Sequence, residues 1–245
     1  MLVLTQIGLA LSSASLFGST THALVGFLIF NAGMIAATLH LGKPLKAWRF
    51  FLGLKTSWLS REILAFSLLA PLPAILATFP FLPDFPFKGL ISTAATYSLI
   101  PLSLGAIFTS VMIYHDTKRI SWHLRKTLPA FLLTFASAAT LFHHPALFAV
   151  VILISLALEA RALLPARQND WSPTKHSARI RLGPLANITR IRFATAALTI
   201  PLAVINPWLA LPVLLASELC SRHLFFRAVY APKMPGGLAS PQHHN

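Results

Sequence analysis

The side chains able to move protons are few in this chain: ten histidines and six acids, Glu62, Asp84, Asp116, Glu159, Asp170 and Glu218. Asp84, Asp116 and Asp170 fall in polar links, where water solvates them. Glu62, Glu159 and Glu218 fall beside or within apolar stretches, where a carboxylate is costly and is usually paired or functional. Glu218 stands four residues before Arg222, which predicts an ion pair on one helical face. Glu159 has arginines nearby in sequence and no assigned role. Glu62 opens an apolar stretch next to Ser60 and Arg61, where the helix dipole also favours negative charge. His40 closes the preceding apolar stretch, just ahead of Gly42 and Pro44, residue types that end a helix. Taken singly, each has a structural explanation as a cap or a dipole partner. Taken together they are a proton donor and a proton relay, because the link between them returns to the same face and brings both to similar depth.

What positions these groups is a strongly apolar chain. Of 245 residues, 56 % are hydrophobic and 11 % charged, and the mean hydropathy is +0.69. Soluble domains carry about 25 % charged residues, so this composition cannot build a water-facing surface. It predicts an all-α, polytopic membrane protein. Eight spans are expected, at 2–18, 22–41, 62–80, 90–113, 128–142, 145–164, 193–205 and 207–228; the fifth and seventh fall short of the ~20 residues of an upright helix. The opening "MLVLTQIGLALSSASLFGS" lacks a basic leader and merges into the first span, which reads as a helix rather than a cleavable signal. The whole of 1–245 is expected to be one transmembrane domain, with a helical bundle over 1–230 and an irregular cytoplasmic tail over 231–245. The longest polar segment, 165–192, is too small to fold alone and is expected to pack on a partner. Cys220 is the single cysteine, which excludes a disulfide framework and a cysteine-ligated iron–sulfur cluster held by this chain.

The charges sort by side. With eight spans, the even-numbered links and both termini share one face, and every one of the 20 Lys and Arg residues except Lys88 falls there. The positive-inside rule makes that face cytoplasmic, with both chain ends inside a bacterial inner membrane. Trp48, Trp58, Trp122 and Trp171 fall on the same face, as interfacial anchors do. The net charge of +14 is thereby a topology signal and not a nucleic-acid footprint.

A quinone headgroup suits the His40–Glu62 pair. Its two carbonyl oxygens need hydrogen-bond donors and, on reduction, protons; nearby Arg and Lys side chains would stabilise anionic charge on it. Haem b is the competing cofactor and needs axial ligands, commonly two histidines, facing one another within spans. No histidine falls mid-span with an evident partner, so no haem is expected. No local spacing resembles a zinc ligand set either, so no metal is expected.

The stretch "LHLGKPLKAWRFFLGLKTSWLSREILAF" resembles the signature region of the dimethyl-sulfoxide-reductase membrane-anchor family. A histidine, an "LG-P" step, an aromatic link and an "LS-E" pair recur in that order. The later "ASELCSRHLFFRAVYAPKMPGG" resembles the family's last helix and tail. The resemblance implies an eight-helix, haem-free anchor for two partners, an iron–sulfur (ferredoxin-like) subunit and, through it, a molybdopterin catalytic subunit. It also implies that electrons pass between the iron–sulfur subunit and ubiquinone or menaquinone. By the match, His40 and Glu62 fall on residues associated with quinol binding, with Ser60 and Arg61 beside them as further quinone-contacting candidates. The charge bias puts the docking face inside, an arrangement similar to the membrane subunit of cytoplasmic sulfite dehydrogenase, where electrons flow into quinone. The alternatives are a quinol-oxidising anchor of a dimethyl sulfoxide or related reductase, an anchor with no quinone contact, and a transporter. A transporter calls for paired ionisable residues at mid-membrane and proline-broken half-helices. Pro101, Pro201 and Pro212 give a weak version of the second feature, and mid-membrane charge is expected to be nearly absent.

Overall fold

A computed structural model describes residues 1–13, 20–39 and 44–230. His40, Lys43 and the tail over 231–245 lie outside the described residues. All regular structure among the described residues is helical. The helices are α1 (Leu2–Ser13), α2 (Thr20–Leu39), α3 (Trp58–Leu69), α4 (Pro71–Thr78), α5 (Lys88–Asp116), α6 (Leu124–Thr140), α7 (Pro145–Arg161), α8 (Pro173–Leu182), α9 (Ala186–Ile205) and α10 (Pro207–Arg227). A 3-10 helix over Pro44–Gly53 precedes α3. Helices α3 and α4 form one rod, interrupted where Pro71 cannot donate a backbone hydrogen bond.

Six helical segments are long and apolar enough to cross a membrane: α2, the α3–α4 rod, α5, α7 with its 3-10 extension, α9 and α10. The expected spans at 2–18 and 128–142 are the exceptions among the eight. The described part of α1 has 12 residues and α6 has 17, or about 18 and 26 Å at 1.5 Å per residue. A lipid core is about 30 Å thick.

Helix α1 is the central post. Every one of its residues except Leu4 is buried, and α2, α4, α5, α6 and α10 all pack against it. A helix apolar on all sides is stable only when enclosed, and α1 meets that condition with protein rather than lipid. Its crossing with α2 brings backbone against backbone. A Cβ placed on Gly26 would stand 2.5 Å from the Ser12 amide nitrogen and 2.7 Å from the Gly8 carbonyl oxygen. One placed on Gly8 would collide with the Phe30 backbone. Small residues permit this approach, which yields dispersion contacts that lipid tails cannot replace.

One sequence boundary is corrected. The seventh span begins at Ala186 and not at 193, so α9 has 20 residues and reaches full length by taking Arg190 and Arg192 into its first two turns. The polar segment 165–192 folds onto its own chain. Ser172 caps α8 by accepting from the Lys175 amide, and the Lys175 ammonium donates to the Asn169 carbonyl at 2.8 Å. The Ser121 and Ser177 hydroxyls meet at 3.1 Å, and the Thr189 hydroxyl donates to the Arg181 carbonyl at 2.8 Å.

Aromatic contacts mark the two ends of the bundle. At one end the Trp122 indole donates to the Phe225 carbonyl at 3.1 Å and its ring stacks on Phe225, which joins the entry of α6 to the exit of α10. Trp171 and His176 both pack on Tyr230 at that end. At the other end His22, Phe142, His143 and Trp208 join the start of α2, the α6–α7 turn and the start of α10. Prolines 101, 201 and 212 all lie inside continuous helices.

Replacing Gly26 by Val is expected to force α1 and α2 apart. The check is the thermal unfolding midpoint of the detergent-solubilised protein, which should fall. A Gly105→Val control, where a Cβ meets open space, should leave that midpoint nearly unchanged.

Candidate functional site

Glu62 is a buried acid near the start of α3. It sits in the first turn and a half of α3, where Ser57 caps the helix by accepting from the Ser60 amide. Only 4 % of the Glu62 surface is exposed. Its Oε1 accepts the hydroxyl of Ser110, which arrives from α5. Tyr114, one turn further along α5, lies within electrostatic reach of both Glu62 and Arg222. The Tyr114 ring is held between Trp122, Phe131, Phe225 and Phe226, so its position is fixed by packing.

The neighbours expected to share the site point in different directions. Ser60 is buried, and a Cβ on Gly53 would lie 2.6 Å from its hydroxyl, so the link folds tightly over it. Arg61 turns back to the link: its Nε donates to the Leu54 carbonyl at 2.9 Å and its Nη2 to the Lys55 carbonyl at 2.8 Å. Its guanidinium also lies 4.2 Å from the centre of the Trp58 ring. Arg61 therefore fixes the link before α3, while Ser110 is a residue that touches Glu62. Whether His40 meets Glu62 lies outside the described residues. Among the described residues no group of three or more His, Cys, Asp or Glu side chains is arranged to hold a metal ion.

A second polar centre is not expected from the sequence. Arg192 is 1 % exposed and stands roughly 9 Å along α9 from its first residue, at 1.5 Å per residue. Its Nη2 lies 2.9 Å from Glu159 Oε1 of α7, and its Nη1 lies 3.0 Å from Glu218 Oε1 of α10. The remaining guanidinium hydrogens are used as well: Nη1 donates to the Ser217 hydroxyl at 2.6 Å and Nη2 to the Ser155 hydroxyl at 3.1 Å. Ser221 donates to Glu159 Oε1 at 3.1 Å. The pairing predicted between Glu218 and Arg222 is replaced by this one across helices. Arg222 reaches Glu218 through Thr134, whose hydroxyl donates to Glu218 Oε2 at 2.6 Å and accepts from Arg222 Nη2 at 3.0 Å. The same Nη2 donates to the Gln6 side-chain carbonyl of α1 at 3.2 Å, and the guanidinium lies 3.8 Å from the Phe131 ring centre.

Arg192 and Arg222 lie within about 9 Å of the basic ends of their helices, so this buried charge sits toward that end of the bundle and not at its middle. Arg192, Arg222 and Glu218 are buried together, with Glu159 half-buried beside them, and hydroxyls join the four. A span that starts at 193 leaves Arg192 looking like a solvated flanking residue. The signal that could reveal it is the shortness of that span, since extending it backward to a membrane-spanning length takes in Arg192. For Ser110 and Tyr114 the sequence carries no signal, because their partners are distant in the chain.

A set of apolar helices with a basic, tryptophan-bearing end and internal ion pairs defines a multi-pass membrane protein. Residues 18–163 match the family model described as DMSO reductase anchor subunit (DmsC), and the chain belongs to that family. The matched region runs from the start of α2 to the end of α7 and includes His40, Ser60, Arg61, Glu62, Ser110 and Glu159; Arg192, Glu218 and Arg222 lie beyond it. The chain is also similar to a subunit of the sulfite dehydrogenase of Allochromatium vinosum, at 30 % identity over 139 residues. That similarity covers 53 % of this chain and 42 % of the relative, so the chain matches less than half the relative's length. No solved structure matches it.

Because Arg192 neutralises two carboxylates inside the bundle, Arg192→Met leaves both without their counter-charge. The expected loss is about 3–5 kcal/mol, the usual range for breaking a buried pair from one side. Unfolding midpoints should show a large drop for Arg192→Met and a partial recovery when Glu159→Gln and Glu218→Gln are added.

Proposed function

We propose that this chain is the membrane anchor of an iron–sulfur molybdoenzyme and exchanges electrons between the partner's iron–sulfur subunit and the quinone pool. In this reading the chain is one anchor domain of eight membrane-embedded rods, with both ends on the cytoplasmic side. Membership of the anchor family and the concentration of basic residues at one end of the helices support it. The similarity to a sulfite dehydrogenase subunit favours a partner that oxidises sulfite, with electrons passing into quinone. The opposite direction, from quinol to a dimethyl sulfoxide or related reductase, is the second reading; the family description supports it.

The observation that carries the proposal is the burial of Glu62 beside Ser110, inside the region shared with the family. A quinone bound here would supply a two-electron, two-proton carrier that diffuses in lipid. The residues present fit it: the Glu62 carboxylate, with the Ser110 hydroxyl donating to it, offers an acceptor, and the Tyr114 phenol one turn further along α5 is a dual-purpose group. Glu62 accepts protons from the basic end of the bundle and delivers them at its carboxylate. The Ser110 hydroxyl holds one carboxylate oxygen in place and so fixes the orientation of the group. His40 is assigned the second headgroup contact, and Ser60 and Arg61 keep the link closed over the site. Electrons and protons enter from the same side, so turnover moves little charge across the membrane. No haem and no iron–sulfur cluster is assigned to this chain.

A transporter would draw on the Arg192–Glu159–Glu218 network. Family membership favours the anchor reading, and the network has an adequate explanation in joining α7, α9 and α10.

Glu62→Gln and His40→Ala, each in the assembled complex, are expected to lower quinone-coupled turnover by about 100-fold or more, the lower range for general acid–base catalysis. Partner activity with a soluble dye should be unchanged. Full quinone turnover in both variants would remove the site, and dye activity lost together with assembly would instead assign these residues to structure.

A further inference from the structure

A cavity of about 520 Å³ opens at the basic end of the bundle, between the start of α6, the end of α7, α8 and the end of α10. Its volume falls within the roughly 300–1,000 Å³ range of small-molecule sites. It lies among helices that do not carry Glu62, so the inference below stands apart from the quinone site, while its test uses the complex that the proposed function implies. Five cations line it: Arg125, Lys126, Arg161, Arg181 and Arg222. Two acids line it as well, Glu159 and Glu218, and both are already held by Arg192. The lining is therefore strongly positive in net terms.

The cations are also short of partners. The side chains of Arg125, Lys126, Arg161 and Arg181 make no ion pair or hydrogen bond among the described residues. Arg222 is 6 % exposed, and its Nε has no hydrogen-bond partner. Burial pushes the Arg181 guanidinium below its ordinary range, and the Glu159 carboxylate draws it back up. Like charges gathered around one concave space raise the local concentration of anions there. The hydroxyls of Ser121, Thr174 and Ser177 line the same space and add donors suited to phosphate oxygens.

The apolar side of the cavity identifies the anion. Leu133, Leu158 and Phe225 form part of the wall. Leu158 is at the same time 42 % exposed and ends a strip on α7 that includes Leu147, Val150, Leu153 and Ile154, all exposed. The charged chamber thus continues into an apolar surface of the kind that acyl chains cover. A free phosphate would use the first part and leave the second bare. An acidic side chain of a partner protein would do the same.

We propose that this cavity binds the headgroup of an anionic glycerophospholipid, with its phosphate among Arg125, Lys126, Arg161 and Arg181 and its acyl chains along the exposed face of α7.

The test places the intact complex in phosphatidylcholine vesicles containing a minor fraction of phosphatidylglycerol with a photoactivatable acyl chain. The label is expected on the peptide that carries Leu153 to Leu158, and equally tagged phosphatidylcholine should label it far less. Each cation near a membrane surface changes anion affinity by about fivefold. Lys126→Gln, a change at an exposed side chain, should therefore weaken labelling about fivefold, and Arg125→Gln with Arg181→Gln by more than tenfold. Arg167→Gln with Arg190→Gln, at cations that do not line the cavity, should change nothing. Labelling insensitive to the cavity variants, or equal for the two lipids, overturns the proposal. So does complete competition by inorganic phosphate, which would make the site one for a free anion. Labelling that appears only after the partner subunits are stripped away overturns it too, in favour of an acidic partner surface.

Discussion

Arg192 cannot give up its charge and cannot reach water, and the second half of the molecule is arranged around that fact. An arginine in a membrane-embedded helix is tolerated when counter-charge and acceptors surround it. Glu159 and Glu218 supply the charge, and Ser155 and Ser217 accept further guanidinium hydrogens. Because these groups come from α7 and α10, the requirement to satisfy one side chain fixes the relative rotation of three helices. Glu218 then leaves its second oxygen for Thr134, and Thr134 receives Arg222. The chain of dependence ends at Gln6 on α1. A single desolvated cation thereby orders five helices.

One ring stands between the two polar centres. Tyr114 is packed among aromatic side chains at the junction of α5, α6 and α10, and feels the charges of both Glu62 and Arg222. Glu62 and Arg222 thus both lie within electrostatic reach of one side chain, although 160 positions separate them in sequence.

Much of the architecture is legible in the sequence because lipid imposes simple rules. Hydropathy locates the rods, and the placement of lysine and arginine orders their ends, since both follow from solvation of individual residues. The limits of legibility have the same physical source. The expected seventh span stops at 193 because a guanidinium in lipid reads as a boundary, and only the tertiary partners of Arg192 make it an interior residue. Local spacing alone pairs Glu218 with Arg222, while the better partner is 26 positions away in sequence. Glu62 stands out by its setting at a helix start. Ser110, which touches it, does not, since a serine within a 29-residue apolar helix carries no mark of its role. The contacts that the segment 165–192 makes within its own chain are not legible in the sequence, because they are hydrogen bonds to backbone carbonyls and hydroxyls, which composition does not reveal.

The enclosure of α1 bears on how the protein is made. Its flanks are occupied by α5, α6 and α10, which leave the ribosome much later than α1 does. Helix α1 must therefore wait, held by lipid, by the translocation machinery or by α2 alone, until α10 arrives. Its close glycine-mediated crossing with α2 offers a provisional shelter during that interval. Among these ten helices, α1 can be fully seated only after α10 has been made.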